Sequence, residues 1–248
     1  MFLTKFPLNL TRRETRGMLA DPYKLHAAIA GSFPGNQAAS EDGRVLWRID
    51  RNSDGSQNLF IVSPTTPSLV GLNEQIGWPD LPQQWQTRDY DSFLASIDEG
   101  QLYGFRLVAN PVVNRVAIRN KNDVSKRIPH LTELQQKAWL VGRAAYEEIG
   151  IEPPEFLTDK DESRATRNGF EVVVGNATNS LQVVVSDTRK LVLRQGKQNN
   201  RITLAMARYD GVLRVTDADL LRHALTHGIG HAKGFGCGLL TLAKVSGT

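Results

Sequence analysis

Tyr23 and His26, in the stretch DPYKLH at 21–26, are the residues whose types and spacing most directly suggest chemistry. At positions i and i+3 of a helix, their side chains would share one face, with Cβ atoms about 5–6 Å apart. An imidazole can take or give a proton near neutral pH, and a phenol can donate a hydrogen bond to a developing oxyanion. The pair could therefore move a proton and stabilise negative charge. From the spacing alone, packing of both rings into a core is the favoured interpretation.

The stretch GIGHAKGFGCG, residues 228–238, places five glycines between a predicted helix and a predicted strand. Nucleotide-binding loops lead from a strand into a helix, so this order predicts neither a dinucleotide nor a nucleoside triphosphate site. Dense glycines let a backbone approach a bulky ligand closely, and their N–H groups can bind phosphate oxygens. Lys233 favours a phosphate neighbour, whereas a helix C-cap followed by an irregular strand start is the structural alternative.

The sequence gives little support for a metal site or for any other reactive side chain. Two pairs of aspartates, Asp89 with Asp91 and Asp159 with Asp161, stand in polar loop-like sequence, and no His/Cys array has zinc spacing. Cys237, the single cysteine, has no evident base beside it and is interpreted as a small core residue. Capping or solvent exposure explains three further histidines, His130, His223 and His227. We therefore predict neither a metal ion nor a cofactor.

No stretch of the sequence predicts export or a membrane span. The opening MFLTKFPLNLTRRETRG is charged too early for a signal-peptide core, and no run of about 18 apolar residues occurs. A single cysteine excludes an intrachain disulfide and fits a reducing compartment. We expect a soluble, cytoplasmic protein.

The net charge of +4 is modest, but basic and acidic residues are segregated along the sequence. Acids concentrate in 147–162, which holds seven of them against one lysine. The two basic runs are Arg106, Arg115, Arg119, Lys121, Lys126 and Arg127, and then Arg189, Lys190, Arg194, Lys197 and Arg201. A solvated loop explains either run alone. Because there are two runs, each flanked by strand-like sequence, a polyanionic partner is an equally good interpretation.

The elements that would position these residues alternate in a similar way in both halves. The first half predicts strands at 2–10, 44–50, 57–63 and 101–113 and helices at 22–31 and 91–100. The second half predicts helices at 130–150 and 217–228 and strands at 170–176, 180–187, 201–216 and 236–245. The first half thus reads βαββαβ, and the second repeats this without a clear opening strand.

These patterns predict an α+β protein of two tandem ferredoxin-like domains. The first domain covers 1–114 and carries the helix with Tyr23 and His26. A basic linker or loop covers 115–130. The second domain covers 131–248 and includes the glycine-rich segment.

Four stretches are similar to the CasE family, the CRISPR-associated endoribonucleases of type I-E Cascade systems. DPYKLH at 21–26 resembles the family's Tyr-x-x-His helix, and LYGFRLVANPVV at 102–113 resembles its Arg-Leu-x-Ala-Asn-Pro strand. RIPHLTELQQKAWLVGR at 127–143 resembles the helix that opens its second half. YDGVLRVTDADLLRHALTHGIGHAKGFGCGLLTLAKV at 209–245 resembles its C-terminal glycine-rich signature, which is long and specific. The likeness spans most of the chain.

The resemblance implies a RAMP-type tandem ferredoxin-like fold that binds the hairpin of a CRISPR repeat transcript. It implies cleavage at the 3′ base of the stem without a metal, after which the protein stays on the crRNA with other Cascade subunits. It implies no nucleotide cofactor and no membrane. By position, Tyr23 and His26 are the catalytic pair. The residues expected at the RNA are Lys24, the basic residues of both runs, Lys233, and Gly228, Gly230, Gly234 and Gly236.

The chemistry of RNA agrees with this pair, because RNA carries its own nucleophile in the 2′-OH. His26 is expected to act as general base on the 2′-OH or general acid on the 5′-oxygen. Tyr23 is expected to orient the ribose or stabilise the phosphorane. The products would be a 2′,3′-cyclic phosphate and a 5′-OH.

Two positions depart from the family's pattern. Family members often have Arg where this chain has Val108, which is expected to weaken one RNA contact, and Pro where it has His231, which adds an imidazole to the glycine-rich segment. Two other hypotheses stay open. One is a non-catalytic RNA-binding subunit of the same fold, and the other is a small-molecule enzyme or ligand-binding protein built on ferredoxin-like domains.

Overall fold

A computed structural model describes residues 1–33, 39–82, 84–115, 126–157, 163–175, 179–195 and 200–245. Predictions for Arg119, Lys121, Lys197, Asp159 and Asp161 lie outside these ranges. The chain forms two compact units. The first consists of Met1–Ile97, Arg222–Gly228 and Ala232–Leu239, and the second of Asp98–Leu221, Ile229–His231 and Leu240–Thr248.

The described residues contain fifteen strands, seven α-helices and two short 3-10 helices, Thr166–Asn168 and Lys233–Phe235. The strands are β1 (Phe2–Pro7), β2 (Ala39–Ser40), β3 (Gly43–Arg44), β4 (Leu46–Arg51), β5 (Gln57–Ser63), β6 (Gln86–Asp89), β7 (Leu102–Ala109), β8 (Val112–Arg115), β9 (Lys126–Pro129), β10 (Phe170–Val172), β11 (Val174–Gly175), β12 (Ser180–Leu181), β13 (Val183–Gln195), β14 (Asn200–Val215) and β15 (Leu240–Lys244). The helices are α1 (Arg13–Ala20), α2 (Pro22–Ala30), α3 (Val70–Ile76), α4 (Asp91–Ala95), α5 (Glu133–Val141), α6 (Ala144–Glu148) and α7 (Ala218–His227). None of the helices in these ranges is long and apolar enough to cross a membrane.

The first unit is built on a four-stranded antiparallel sheet in the order β4-β5-β1-β6. Helices α1 and α2 connect β1 to the β2–β3 hairpin and β4, and α3 connects β5 to β6. The four main strands therefore lie in the order second, third, first, fourth, which is the ferredoxin-like arrangement. Phe6, Ile29, Ile61 and Ile76 are fully buried in one hydrophobic core. This core joins the sheet to α2 and α3.

The second unit repeats the same strand order. Its sheet runs β10-β14-β7-β15, and β13 pairs with the part of β14 that precedes the β10 pairing. Because β7 occupies the other side of β14, β10 and β13 together hold the position of the second strand. With β14 third and β15 fourth, the order is again second, third, first, fourth. The predicted fold class, two tandem ferredoxin-like domains, is confirmed.

Helix α5, the first helix of the second unit, is anchored by a buried amide. The helix begins after Thr132, whose side chain and that of Gln135 form a reciprocal capping box. Gln136 is fully buried, donates to the carbonyl oxygen of His130 at 3.1 Å, and accepts from the Thr188 hydroxyl at 3.0 Å. These bonds fix α5 in its unit, because both ends of the amide have partners.

The prediction that the strand at 101–113 closes the first unit was wrong. That strand is β7, which ends at Ala109 and pairs with β14 and β15, and so supplies the opening strand that the second half lacked. The first sheet is closed instead by β6, whose sequence QTRD is polar and mostly exposed. An edge strand of this kind has no apolar alternation from which it could be predicted.

Two helices also differ from the prediction. Helix α3 was not predicted, and the helix predicted at 91–100 is α4, which ends at Ala95 and follows β6. The compact units divide after Ile97 and not near 114–130, because β7 belongs to the second sheet. Most of the glycine-rich segment, predicted in the second domain, belongs to the first unit.

Candidate active site

Helix α2 begins as the sequence predicts. The Asp21 carboxylate accepts hydrogen bonds from the backbone N–H groups of Tyr23 at 3.1 Å and Lys24 at 3.4 Å, and Pro22 occupies the first helical turn. Leu25 and Ile29 lie one turn apart and are buried in the core of the first unit. The remaining faces of α2 are therefore available to present polar side chains.

His26 stands on such a face and is exposed. The backbone of the glycine-rich segment passes directly over its ring, since a Cβ built at Gly234 would lie 3.4 Å from His26 Cε1 and 3.6 Å from each ring nitrogen. A Cβ at residue 234 would be in van der Waals contact with the imidazole, so the Gly234 backbone covers this face of the ring and leaves the rest of the exposed side chain accessible. The imidazole is not part of the hydrophobic core, in contrast to the packing interpretation.

Tyr23 is half-buried, and its ring meets the Phe235 ring edge to face, with the ring centroids 5.0 Å apart and the planes at 89°. Its hydroxyl is covered and has no hydrogen-bond partner among the described residues. The side chain is thus held by an aromatic contact that sequence reasoning missed. The hydroxyl can contact RNA only after its surroundings open.

The glycine-rich segment passes closely over strand β4. At Gly236, φ is +81°, and a Cβ would lie 2.7 Å from Trp47 Cζ3. At Gly228, the residue after α7, φ is +77° and a Cβ would lie 2.7 Å from Leu46 Cδ2. The helix C-cap proposed as an alternative is therefore present, but it does not account for the later glycines. Gly230 belongs to the second unit, where Trp139 lies beside it.

Arg48 holds the end of this segment, and sequence reasoning missed it. The side chain is 2 % exposed and makes two hydrogen bonds to the Asp50 carboxylate, at 2.7 and 2.8 Å. It also donates to the carbonyl oxygen of Leu239 at 2.8 Å. Opposite charges two positions apart in the strand LWRID share one face of that strand, so the pair could have been suspected from the sequence.

Lys233 and Arg44 bring positive charge to the same unit. Partial burial, followed by the nearby positive charge of Arg44, lowers the pKa of the Lys233 ammonium. Lys24 is exposed beside Tyr23 and lies 3.9 Å from the Asp21 carboxylate, in a weak surface ion pair. The first unit thus brings together Tyr23, Lys24, His26, Lys233 and Gly234.

The two predicted basic runs lie in the second unit and differ in how they are paired. Arg106 forms an ion pair with Asp210, which also pairs with Arg208, and Arg208 pairs in turn with Asp187. Two carboxylates therefore offset the charges of the two arginines. Arg189 and Lys190 are exposed on β13. The backbones of the remaining described members lie on β8, β9, β13 and β14: Arg115, Lys126, Arg127, Arg194 and Arg201.

The carboxylates weighed as a metal site have other partners where they are described. Asp89 accepts hydrogen bonds from the backbone and hydroxyl of Ser92, which lower the pKa of its carboxyl. Asp91 pairs with the N-terminal ammonium of Met1 at 2.7 Å. Within the part of the chain that the structure describes, no group of three His, Cys, Asp or Glu side chains lies together.

Two ferredoxin-like sheets, with a Tyr/His helix under a glycine-rich segment in the first unit, define an α+β protein of the tandem ferredoxin-like class. Comparison with known proteins narrows this class, because the profile of the family described as "CRISPR associated protein" matches residues 1–244. The chain belongs to this family, and the resemblance to CasE seen in the sequence is confirmed.

Curated relatives match over their full length. The chain is similar to the "CRISPR-associated endoribonuclease Cse3" of Thermus thermophilus, with 27% identity over 98% of this chain and 100% of the relative. It is also similar to the "CRISPR system Cascade subunit CasE" of Escherichia coli, with 25% identity over 93% and 96%. A solved structure of Thermus thermophilus Cse3 bound to a pre-cleavage RNA shares the fold, with a TM-score of 0.65, 22% identity and 98% coverage of both chains.

Proposed function

We propose that this protein is an endoribonuclease that binds the hairpin of a CRISPR repeat transcript, cuts it at the 3′ base of the stem, and remains on the crRNA as a Cascade subunit. Full-length similarity to relatives named as an endoribonuclease and as a Cascade subunit supports the class of activity and the partners. The observation that carries the chemistry is the exposed His26 ring with the Gly234 backbone over one of its faces.

The proposed reaction uses the substrate's own nucleophile. His26 takes the proton of the 2′-OH or gives one to the departing 5′-oxygen, solvent water exchanges the other proton, and the 2′-oxygen attacks the adjacent phosphorus. The P–O5′ bond breaks as the P–O2′ bond forms, which leaves a 2′,3′-cyclic phosphate and a 5′-OH. No metal-bound water is needed for this step. Help from a general acid or base is worth about 10²- to 10⁴-fold.

Binding would supply the rest of the acceleration by holding the 2′-oxygen in line with the leaving oxygen. Side chains contact an A-form stem mainly through phosphates and 2′-OH groups. Arg189 and Lys190, exposed on β13, are the best described candidates from the basic runs. Arg106 is a weaker one, because Asp210 already binds it.

One observation favours a second candidate, an RNA-binding subunit that does not cut. The Tyr23 hydroxyl is covered and cannot reach a phosphate in this arrangement. If Tyr23 only supports Phe235 and the glycine-rich segment, the protein could hold RNA without cleaving it. The two candidates predict different products and are separable by one assay.

The test is incubation of the protein with a repeat hairpin in EDTA, followed by analysis of the RNA ends. We expect cleavage with a 2′,3′-cyclic phosphate, no cleavage of a hairpin with a 2′-deoxy nucleotide at the cut site, and a loss of about 10²- to 10⁴-fold in single-turnover rate for His26→Ala. The control His130→Ala should cut at the wild-type rate. Tight binding without cleavage would favour the second candidate, and wild-type cutting by His26→Ala would refute the role of His26.

A further inference from the structure

Two histidines that the proposed reaction does not use lie against each other at the end of α7. The rings of His223 and His227 stack with centroids 3.9 Å apart and planes 14° from parallel. The Nδ1 atom of His227 is 2.9 Å from the Thr226 hydroxyl, which fixes that ring. Capping and exposure explain why each histidine is tolerated, but not why the two rings are stacked.

Further cations surround this pair within the first unit. Partial burial, then His227 and then Lys233, lower the pKa of His223, and Arg44 in turn acts on Lys233. The β2–β3 hairpin approaches the end of α7, since a Cβ at Gly43 would lie 3.0 Å from the carbonyl oxygen of Thr226. The hairpin therefore brings Arg44 to this end of the helix.

Within the described ranges, these cations are not paired with carboxylates. Among the described residues, none of Arg44, His223, His227 and Lys233 forms an ion pair with an Asp or Glu. The Nε atom of Arg44 is buried and has no hydrogen-bond partner in the same set. The acids on these elements are Asp219, one turn before His223 on α7, and Glu41 and Asp42 in the hairpin turn, all exposed. Arg222 points its guanidinium at the carbonyl oxygens of Leu94 and Ile97.

Four cationic groups held together in this way repel one another, and burial adds to the cost of their charge. An anion would offset this repulsion, and Arg44 could bind its oxygen through the outer nitrogens of the guanidinium, because the Nε atom is covered in this arrangement. The end of α7 adds the negative pole of the helix dipole, which favours protonated imidazoles over neutral ones.

We propose that Arg44, His223, His227 and Lys233 form a phosphate-binding site for the RNA, centred on α7 and separate from the phosphate cut at His26. The site couples RNA affinity to protonation of His223, against which the His227 ring stacks. This inference rests on the proposed function, because the phosphate belongs to the bound hairpin. Lys233 precedes Gly234, which faces His26, so it connects this site to the candidate active site.

The direction of the pH dependence follows from linkage. In the free protein the pKa of His223 is lowered, and a bound phosphate raises it again because the anion stabilises the imidazolium. The extra affinity is therefore complete below the pKa of the free protein and is lost as the pH rises through the pKa of the complex. One proton taken up on binding changes the dissociation constant by about tenfold per pH unit at most.

The test measures the affinity for a repeat hairpin with a 2′-deoxy nucleotide at the cut site, from pH 5.5 to 8.5, in a His26→Ala background without the imidazole of the candidate active site. We expect affinity to rise towards low pH in this background. The additional changes His223→Gln and His227→Gln should abolish the rise, so that their loss of affinity is largest at pH 5.5 and smallest at pH 8.5. His130→Gln, at a histidine of the second unit, should keep the full rise.

A second variant does not depend on loss of affinity. His223→Arg, at an exposed position, supplies a charge that does not titrate, and it should bind several-fold more tightly at pH 8.5 with a flatter profile. A profile unchanged by the double glutamine variant would overturn the inference and leave the proposed function intact. The double glutamine variant with His26 intact provides a further check on the unmodified hairpin. Slower single-turnover cleavage with unchanged affinity would also overturn the inference, because the histidine pair would then act in the cleavage step and not in binding. Failure of the wild type to bind the hairpin at any pH would overturn both.

Discussion

In the second unit, Arg106 and Arg208 share the carboxylate of Asp210, and Arg208 also pairs with Asp187. In the first unit, Arg44 and Lys233 lie close enough to affect each other and have no carboxylate partner among the described residues. The arginine cluster at Asp210 in the second unit thus has its charge offset internally, whereas Arg44 and Lys233 in the first unit leave positive charge for a ligand. The comparison teaches that a run of basic residues in the sequence does not by itself mean a positive surface.

The largest expected difference between the units concerns their arginine pairs. Arg48→Met should lower the free energy of unfolding by about 3–5 kcal/mol, because it leaves the buried Asp50 carboxylate without its partner. Arg106→Met, at a part-exposed pair, should cost only about 0–1 kcal/mol. Urea unfolding curves of both variants measure the difference. Equal losses would contradict the distinction, and adding Asp50→Leu to Arg48→Met should recover much of the stability.

A smaller loss is expected where the glycine-rich segment crosses β4. Gly236→Ala should destabilise by more than the roughly 1–2 kcal/mol of a left-handed alanine, because the new Cβ also meets Trp47. Gly55 is the matched control, since its φ of +83° is similar and open space surrounds it. The excess loss of Gly236→Ala over Gly55→Ala in thermal unfolding measures the clash with the indole. No excess would mean that Trp47 moves aside.

Removing a tyrosine hydroxyl should change the free energy of unfolding in opposite directions in the two units. Tyr23→Phe should raise the stability by about 1 kcal/mol, because it removes a covered hydroxyl without a partner. In the second unit, Tyr103→Phe should lower the free energy of unfolding by about 0.5–1.5 kcal/mol, because the Tyr103 hydroxyl donates a hydrogen bond to the side-chain oxygen of Gln101 at 2.7 Å. Chemical denaturation distinguishes the two changes. A loss for Tyr23→Phe would show that its hydroxyl has a partner in solution.

The smallest expected effect is on the salt dependence of RNA binding. Replacing Arg189 and Lys190 with alanine should reduce the slope of log affinity against log salt by about 0.9 for each phosphate that is no longer neutralised, on the scale for duplex DNA. Arg106→Ala should leave the slope unchanged, because Asp210 already neutralises that charge. Filter binding at several salt concentrations gives the slopes. A larger change for Arg106→Ala would reverse the comparison.

Local signals in the sequence were sufficient for helix α2. Asp21 and Pro22 mark its start, and Leu25 and Ile29 mark its buried face, so the positions of Tyr23 and His26 on it followed. The pairing of β7 was not predictable in this way. In the sheet, Leu107 lies opposite Tyr209 and Leu240, both far along the chain, and a buried central strand has the same pattern in either unit.

The surroundings of the candidate site were only partly predictable. The family resemblance placed the glycine-rich segment against the RNA, but its contacts with His26, Tyr23 and Trp47 depend on how the chain returns to the first unit. The spacing of Arg48 and Asp50 in the sequence could have indicated their ion pair. The hydrogen bond from Arg48 to Leu239 could not be predicted, because no local sequence pattern relates residues so far apart.

The repeated strand order places α2 and α5 in equivalent positions, between the first and second strands of their sheets. The two helices are held in place differently. Gln136 of α5 uses its amide to tie the helix to its own unit, so a reactive side chain at that place would lose access to solvent. On α2, aliphatic packing, the Asp21 cap and the contact between Tyr23 and Phe235 secure the helix, and His26 remains exposed. An attempt to transplant the Tyr/His pair into the other half would therefore first have to replace that internal amide anchor with apolar contacts.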